Sequence, residues 1–249
     1  MRSSRVDVAL TPAAIAPAQT AVVIDVLRAS STITQALDAG YRRVICCESI
    51  DAARRHRAPG RVLAGESRCL RVPDFELGNS PAAVAAGEPL GEELVMATTN
   101  GSPAILAAAL CSQRVVIGCL LNLAAVVAAI RPDGEVTIVC AGTDGRAAIE
   151  DIYAAGRIVG ELEAERSDAA LVAERVATGF ADPLEPLSVS ADGAVLRSSG
   201  QGGDISWCAG ESRLDIVPEV SDVGDDAATV TALSRREPHV AGRTGVQTR

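Results

Sequence analysis

Apolar residues fall along this chain in short β-rich runs separated by longer stretches with helical spacing. The runs are 21–26 (AVVIDV), 42–47 (RRVICC), 61–66 (RVLAGE), 93–99 (ELVMATT), 114–120 (RVVIGCL) and 135–141 (EVTIVCA). Helical patterns occupy about 30–39, 51–57 (DAARRHR), 102–110 (SPAILAAAL), 123–130 (LAAVVAAI), 147–162 (AAIEDIYAAGRIVGEL) and 168–177 (DAALVAERVA). Near-continuous apolar strands alternating with helices predict an α/β fold, a mostly parallel sheet covered on both faces. After Phe180 the pattern degrades into an expected short helix, a Gly-rich turn and one further strand. From about Ser221 the chain turns acidic and then Arg-rich. The expected organisation is a single domain over 1–220 and a flexible tail over 221–249.

Composition narrows the chemistry. The 249 residues contain no lysine, which removes Schiff-base and P-loop lysine chemistry. A net charge of -9 and 2% aromatics argue against nucleic acid, which needs basic patches and stacking platforms. No stretch approaches the ~20 apolar residues of a membrane span. The N-terminal ALTPAAIAPA, with two prolines and no continuous apolar run, is a poor signal peptide. The seven cysteines lack a C-x-x-C spacing and read as reduced thiols of a cytoplasmic protein.

In open α/β sheets ligands bind beyond the carboxyl ends of the strands. Asp25 and Arg28 follow the first run and Glu66 closes the third. Thr98, Thr99 and Asn100 follow the fourth, Asn122 the fifth, and 140–144 the sixth. A single polar residue there is usually a turn former or helix cap, but acid, guanidinium and amide recur. Asp25, Glu66, Glu150 and Asp151 are hard oxygen donors suited to Mg²⁺, and no His cluster exists to favour zinc. RASST (28–32) and TTNGS (98–102) place hydroxyls and free N–H groups at helix starts, as anion sites do. Ser30, Ser31, Thr32, Thr99, Asn100, Gly101 and Asn122 are therefore candidate phosphate or substrate contacts. Arg28 has two readings: an ion pair with Asp25 at a helix start, or a bidentate fork for a phosphate or sulfonate. Cys140 and Arg146 show a C-x5-R spacing, a rival signal for a cysteine-dependent phosphatase. A non-catalytic binder of an acidic metabolite would use the same anion sites.

VVIDVLRASSTI (22–33), GE (65–66), ELGNSP (76–81), TTNGS (98–102), LLN (120–122), CAGTDG (140–145) and ED (150–151) occur in order over residues 20–160. Together they resemble the ComB family of 2-phosphosulfolactate phosphatases, and GGDISWC with IVP (216–218) extends the likeness. The resemblance implies a three-layer α/β/α fold with a mostly parallel, mixed sheet. It implies Mg²⁺-dependent hydrolysis of (2R)-O-phospho-3-sulfolactate, a small anionic phosphate ester, to 3-sulfolactate and phosphate in coenzyme M biosynthesis. Asp25, Glu66, Glu150 and Asp151 would then be metal ligands, with Asp25, Arg28 and Glu66 catalytic. Asn79 would join the substrate contacts. A homo-oligomer is left open.

Overall fold

The strand β2 (Ala18–Ile24) shows how the sheet came to lie in the middle. Its alternate side chains divide between two cores: Val22 and Ile24 pack with α5 (Leu123–Ile130) and α6 (Ile149–Gly160). Ala21 and Val23 pack on the other side with α1 (Ala29–Asp38) and α4 (Gly101–Cys111). With apolar side chains on both faces, a strand can be buried only between two helical layers. The computed structural model describes residues 4–131 and 134–233 and has this three-layer α/β/α arrangement. A third core lies against α2 (Ile50–Arg55), built on Ile45, Leu63 and Val95.

The sheet contains two parallel blocks. One joins β7 (Ser112–Gly118), β2, β8 (Glu135–Cys140) and β1 (Arg5–Ala9). The other joins β3 (Arg43–Cys47), β6 (Glu93–Ala97) and β4 (Arg61–Ser67). Two-residue strands close the ends, β5 (Leu70–Arg71) beside β4 and β9 (Glu165–Arg166) beside β1. Between the blocks stands a hairpin, β10 (Pro218–Val223) and β11 (Ala227–Ala232), antiparallel to itself and to both neighbours.

Three antiparallel steps in succession leave the blocks pointing opposite ways, so the strand ends do not share one edge as a simple parallel sheet would give. The join is narrow, since β10 registers with β7 only at Glu219 and Val116. Sheet twist accumulates across such a hairpin, and α4 bridges it. That helix leaves the end of β6 and packs on β3, β11, β10, β7 and β2. The carboxyl ends of β6 and β2 thereby become neighbours.

The expected tail needs correction over 221–232, which forms most of the hairpin; the remainder, 234–249, lies outside the described residues. Small side chains hid these strands. Ala228 and Val230 are fully buried because neighbouring strands cover them, a case where context sets β structure more than composition does. The turn is fixed by Asp226, which accepts from Arg55 (2.7 Å) and lies 3.0 Å from His56 Nε2. The expected strand after Phe180 is instead a run of short helices: α8 (Leu184–Val189), α9 (Ala191–Ser198) and α10 (Gly203–Cys208). They follow α7 (Asp168–Thr178), and α3 (Pro81–Ala85) completes the set.

Candidate active site

β2 ends at Ile24, and the next residue, Asp25, turns its carboxylate back to cap the helix that follows. Asp25 Oδ1 accepts from the Ala29 N–H at 3.0 Å, while the Asp25 N–H donates to Ser30 Oγ at 2.9 Å. Ser31 Oγ donates to the Val26 carbonyl at 2.8 Å, and Thr32 Oγ1 is buried without a partner. Ser30, Ser31 and Thr32, candidate phosphate contacts by sequence, are thus at most 1% exposed. The first two are engaged with the backbone of their own loop.

A second helix start meets Asp25. Thr98 and Ser102 cap α4 reciprocally, Thr98 Oγ1 accepting from Ser102 N–H (3.0 Å) and Ser102 Oγ from Thr98 N–H (3.2 Å). Gly101 begins α4 so close to α1 that a Cβ would lie 2.3 Å from Ala29 Cβ and 2.6 Å from Asp25 Oδ2. Only glycine permits this approach. Glu66, near the end of β4, ties that strand to the start of α4 within its own block. Its Oε1 accepts from Thr99 N–H (3.0 Å) and Thr99 Oγ1 (3.1 Å), and its Oε2 from Cys69 N–H (2.8 Å).

On the other side, Asp151 fastens two loops. Its oxygens accept from Val26 N–H (2.8 Å) and Gly142 N–H (2.9 Å), joining the ends of β2 and β8. Gly142 has φ +65°, and a Cβ there would strike the Arg146 carbonyl at 2.2 Å. Thr143 Oγ1 donates to Asp192 Oδ2 at 2.6 Å, and Asp192 lies against Glu150, whose carboxyl it pushes up.

These elements enclose a cavity of about 440 Å³ lined by Asp25, Arg28, Glu66, Asn79, Thr98, Thr99 and Asn100, with Arg68, Cys69, Asp144 and Asp192. Burial pushes the Asp25 carboxyl up to about 7, with Asp192 and Glu66 adding repulsion. Burial and Asp192 push Glu150 up to about 8. Asp151 is raised well above the carboxylate range by burial and by Asp25 and Glu150, and Asp192 is raised chiefly by burial. Acids that disfavour one another's ionisation have been gathered here, and the lowering that Arg28 exerts on Asp25 is outweighed by burial.

Arg28 does not pair with Asp25. It is 2% exposed, and its Nη1 donates to Asp204 Oδ2 and Gln201 Oε1, each at 2.5 Å. Ser80 Oγ donates to the other Asp204 oxygen at 2.7 Å. The guanidinium is therefore held at the cavity by α10 and the turn before it. Asn122 is fully buried and does not line the cavity. Its Oδ1 accepts from Cys119 N–H, and its Nδ2 donates to the Ile117 and Ile216 carbonyls, clasping 216–218 against the end of β7.

The cysteine alternative fails on geometry. Cys140 is fully buried, and burial with Asp151 and Glu150 raises its thiol well above the usual range. Thr143 and Arg146 close a turn by pairing their backbones, so the loop does not cradle an anion around the sulfur. Asp192, Asp204, Gln201 and Arg68 were missed by the sequence reading. Gln201 and Asp204 flank or belong to GGDISWC, which was the available signal; nothing marked Asp192 or Arg68.

The oxygen-only donor set fits a hard divalent cation. Among the described residues, however, no three Asp, Glu, His or Cys side chains are already arranged to hold a metal ion. The donors are assembled but do not form a finished cage.

The family model for 2-phosphosulpholactate phosphatase matches residues 7–223. The chain belongs to that family. It is 39% identical over 214 residues to a probable 2-phosphosulfolactate phosphatase of Deinococcus radiodurans, covering 83% of this chain and 89% of the relative. Probable 2-phosphosulfolactate phosphatases of Thermus thermophilus (37% over 203 residues, covering 79% and 86%) and Thermotoga maritima (36% over 215, covering 86% and 94%) are similar. The family match spans both parallel blocks and all the cavity residues.

Proposed function

We propose that this chain is a phosphoric monoester hydrolase that converts 2-phosphosulfolactate to 3-sulfolactate and phosphate with Mg²⁺ as cofactor. The observation that carries the reading is the meeting of Asp25, Glu66 and Asp192 with a buried arginine in one cavity. Asp25, Glu66, Glu150 and Asp151, with Asp192, would hold the cation. When bound, such an ion neutralises phosphoryl oxygens and lowers the pKa of an attacking water.

The chain's own residues supply the rest. Arg28, immobilised by Asp204 and Gln201, offers fixed positive charge to a transferring phosphoryl group, and its preorganisation avoids reorientation during reaction. Thr99 and Asn100 bring the start of α4, with its partial positive charge, to the same cavity. Asp151 holds the β2 and β8 loops at fixed separation. All seven cysteines are free thiols, which suits a cytoplasmic location. No helix among the described residues is long and apolar enough to cross a membrane. Phosphate release from 2-phosphosulfolactate by the purified protein tests the reading. Binding of 3-sulfolactate without any turnover of the ester would instead mark a non-catalytic binder.

A further inference from the structure

The cavity is lined by two arginines, and only Arg28 is tied to protein partners. Arg68 is exposed, and among the described residues its guanidinium makes no hydrogen bond or ion pair. It sits at the tip of the β4–β5 hairpin. Ser67 pairs with Leu70 across a two-residue turn in which Arg68 has φ +51° and Cys69 φ +64°. Such a turn favours Asn-Gly, because side chains with a Cβ are strained at positive φ. The chain instead spends this position on an arginine facing the cavity.

The tip is anchored on both sides by the site itself. Glu66 Oε2 accepts from the Cys69 N–H (2.8 Å), and Gln201 Nε2 donates to the Cys69 carbonyl (2.7 Å). The same Gln201 restrains Arg28. Beside them Asn79 is 5% exposed and its carboxamide oxygen lacks a partner, which leaves the polar wall one contact short. Four carboxylates, Asp25, Glu66, Asp144 and Asp192, line the remainder. An anionic group entering away from a bound cation meets these carboxylates, and of the two arginines in the lining only Arg68 has a guanidinium not already paired with a carboxylate.

We propose that Arg68 is the specificity residue for the substrate's non-reacting end, its guanidinium binding a sulfonate or carboxylate while the phosphoryl group lies at the Asp25 side. This rests on the phosphatase reading, which turnover of the ester by the wild-type protein decides separately. Calorimetric titration tests the subsite. With Mg²⁺ present, 3-sulfolactate and inorganic phosphate are titrated into the wild type, Arg68→Gly and Arg68→Asn. Both variants suit a positive φ, so neither should lower the melting temperature. The expected result is at least a tenfold loss of 3-sulfolactate affinity, as for one charge-assisted contact, against less than threefold for phosphate. A parallel titration with lactate assigns the group: a similar fold loss marks the carboxylate, and its absence marks the sulfonate. Equal losses for 3-sulfolactate and phosphate, no loss for 3-sulfolactate, or a wild type that binds phosphate but not 3-sulfolactate would overturn the proposal.

Discussion

Two buried acidic places in this molecule are built on opposite principles. Glu93, at the start of β6, is 5% exposed and is met by Arg42, by Arg43 (2.7 Å) and by Arg61 (3.0 Å). Those arginines hold its carboxyl down at about 2, more than offsetting its desolvation. At the other end of the same block, the cavity is lined by four acids, Asp25, Glu66, Asp144 and Asp192, with Glu150 against Asp192, and its buried arginine is given to Asp204. Burial there wins, and the carboxyls of Asp25 and Glu150 rise to about 7 and 8. A compensated acid serves the fold, whereas the proposed function gives the acids at the convergent strand ends to a ligand that brings its own positive charge.

The comparison is broken most severely by exchanging charge for amide at each place. Asp25→Asn is expected to lower kcat/KM by about 10³-fold, the scale of losing a group that organises transition-state charge, with the melting temperature kept or raised. Glu93→Gln is expected to do the reverse. It should cost about 2 kcal/mol, below the range for a fully buried pair because the arginines are partly solvated, and leave turnover near wild type. Activity assays beside thermal denaturation check both, and loss of activity in Glu93→Gln without loss of stability would erase the distinction.

Titration of stability sharpens it. Glu93 has a folded pKa of about 2 against an ordinary 4.5, so its contribution is present above pH 4.5 and fades as pH falls towards 2. Asp25 and Glu150 are raised from 3.8 and 4.5 to about 7 and 8. Their contribution is present at acid pH, below the unfolded values, and is lost as pH rises through 7 to 8. Calorimetry in EDTA should therefore show stability falling from pH 5 to pH 8, with a larger gain on adding Mg²⁺ at pH 8 than at pH 5. A flat EDTA profile over that range counts against uncompensated acids. The smallest effect is expected at Cys140→Ser: a hydroxyl in the apolar core costs about 1–2 kcal/mol, and turnover in the folded fraction should stay within a few-fold of wild type.

Most of the parallel blocks was legible because β2, β3, β6, β7 and β8 are apolar on both faces, and alternation with helices left little else for them to form; the edge-side strand β1 (Arg5–Ala9) was not read. That Asp25, Glu66 and Asn100 meet in one cavity was legible because they lie at or just beyond strand ends. The β10–β11 hairpin was not, since its strands are small or half-exposed and owe their conformation to neighbours. The same limit hid Asp192 and Asp204. Each is an ordinary acid in the first turn of a short helix, and only the fold brings it to the cavity. Asn122 and Ser31 show the opposite error: their positions suggested ligand contact, while their side chains are committed to neighbouring backbone.

The central claim is that the acids around Asp25 await a cation that carries the chemistry. Phosphate release from (2R)-O-phospho-3-sulfolactate, followed in EDTA-stripped protein before and after Mg²⁺ is restored, measures this most directly. The account predicts negligible release without the ion and recovery when it is returned. Full activity in EDTA, with metal content verified as absent, would contradict it.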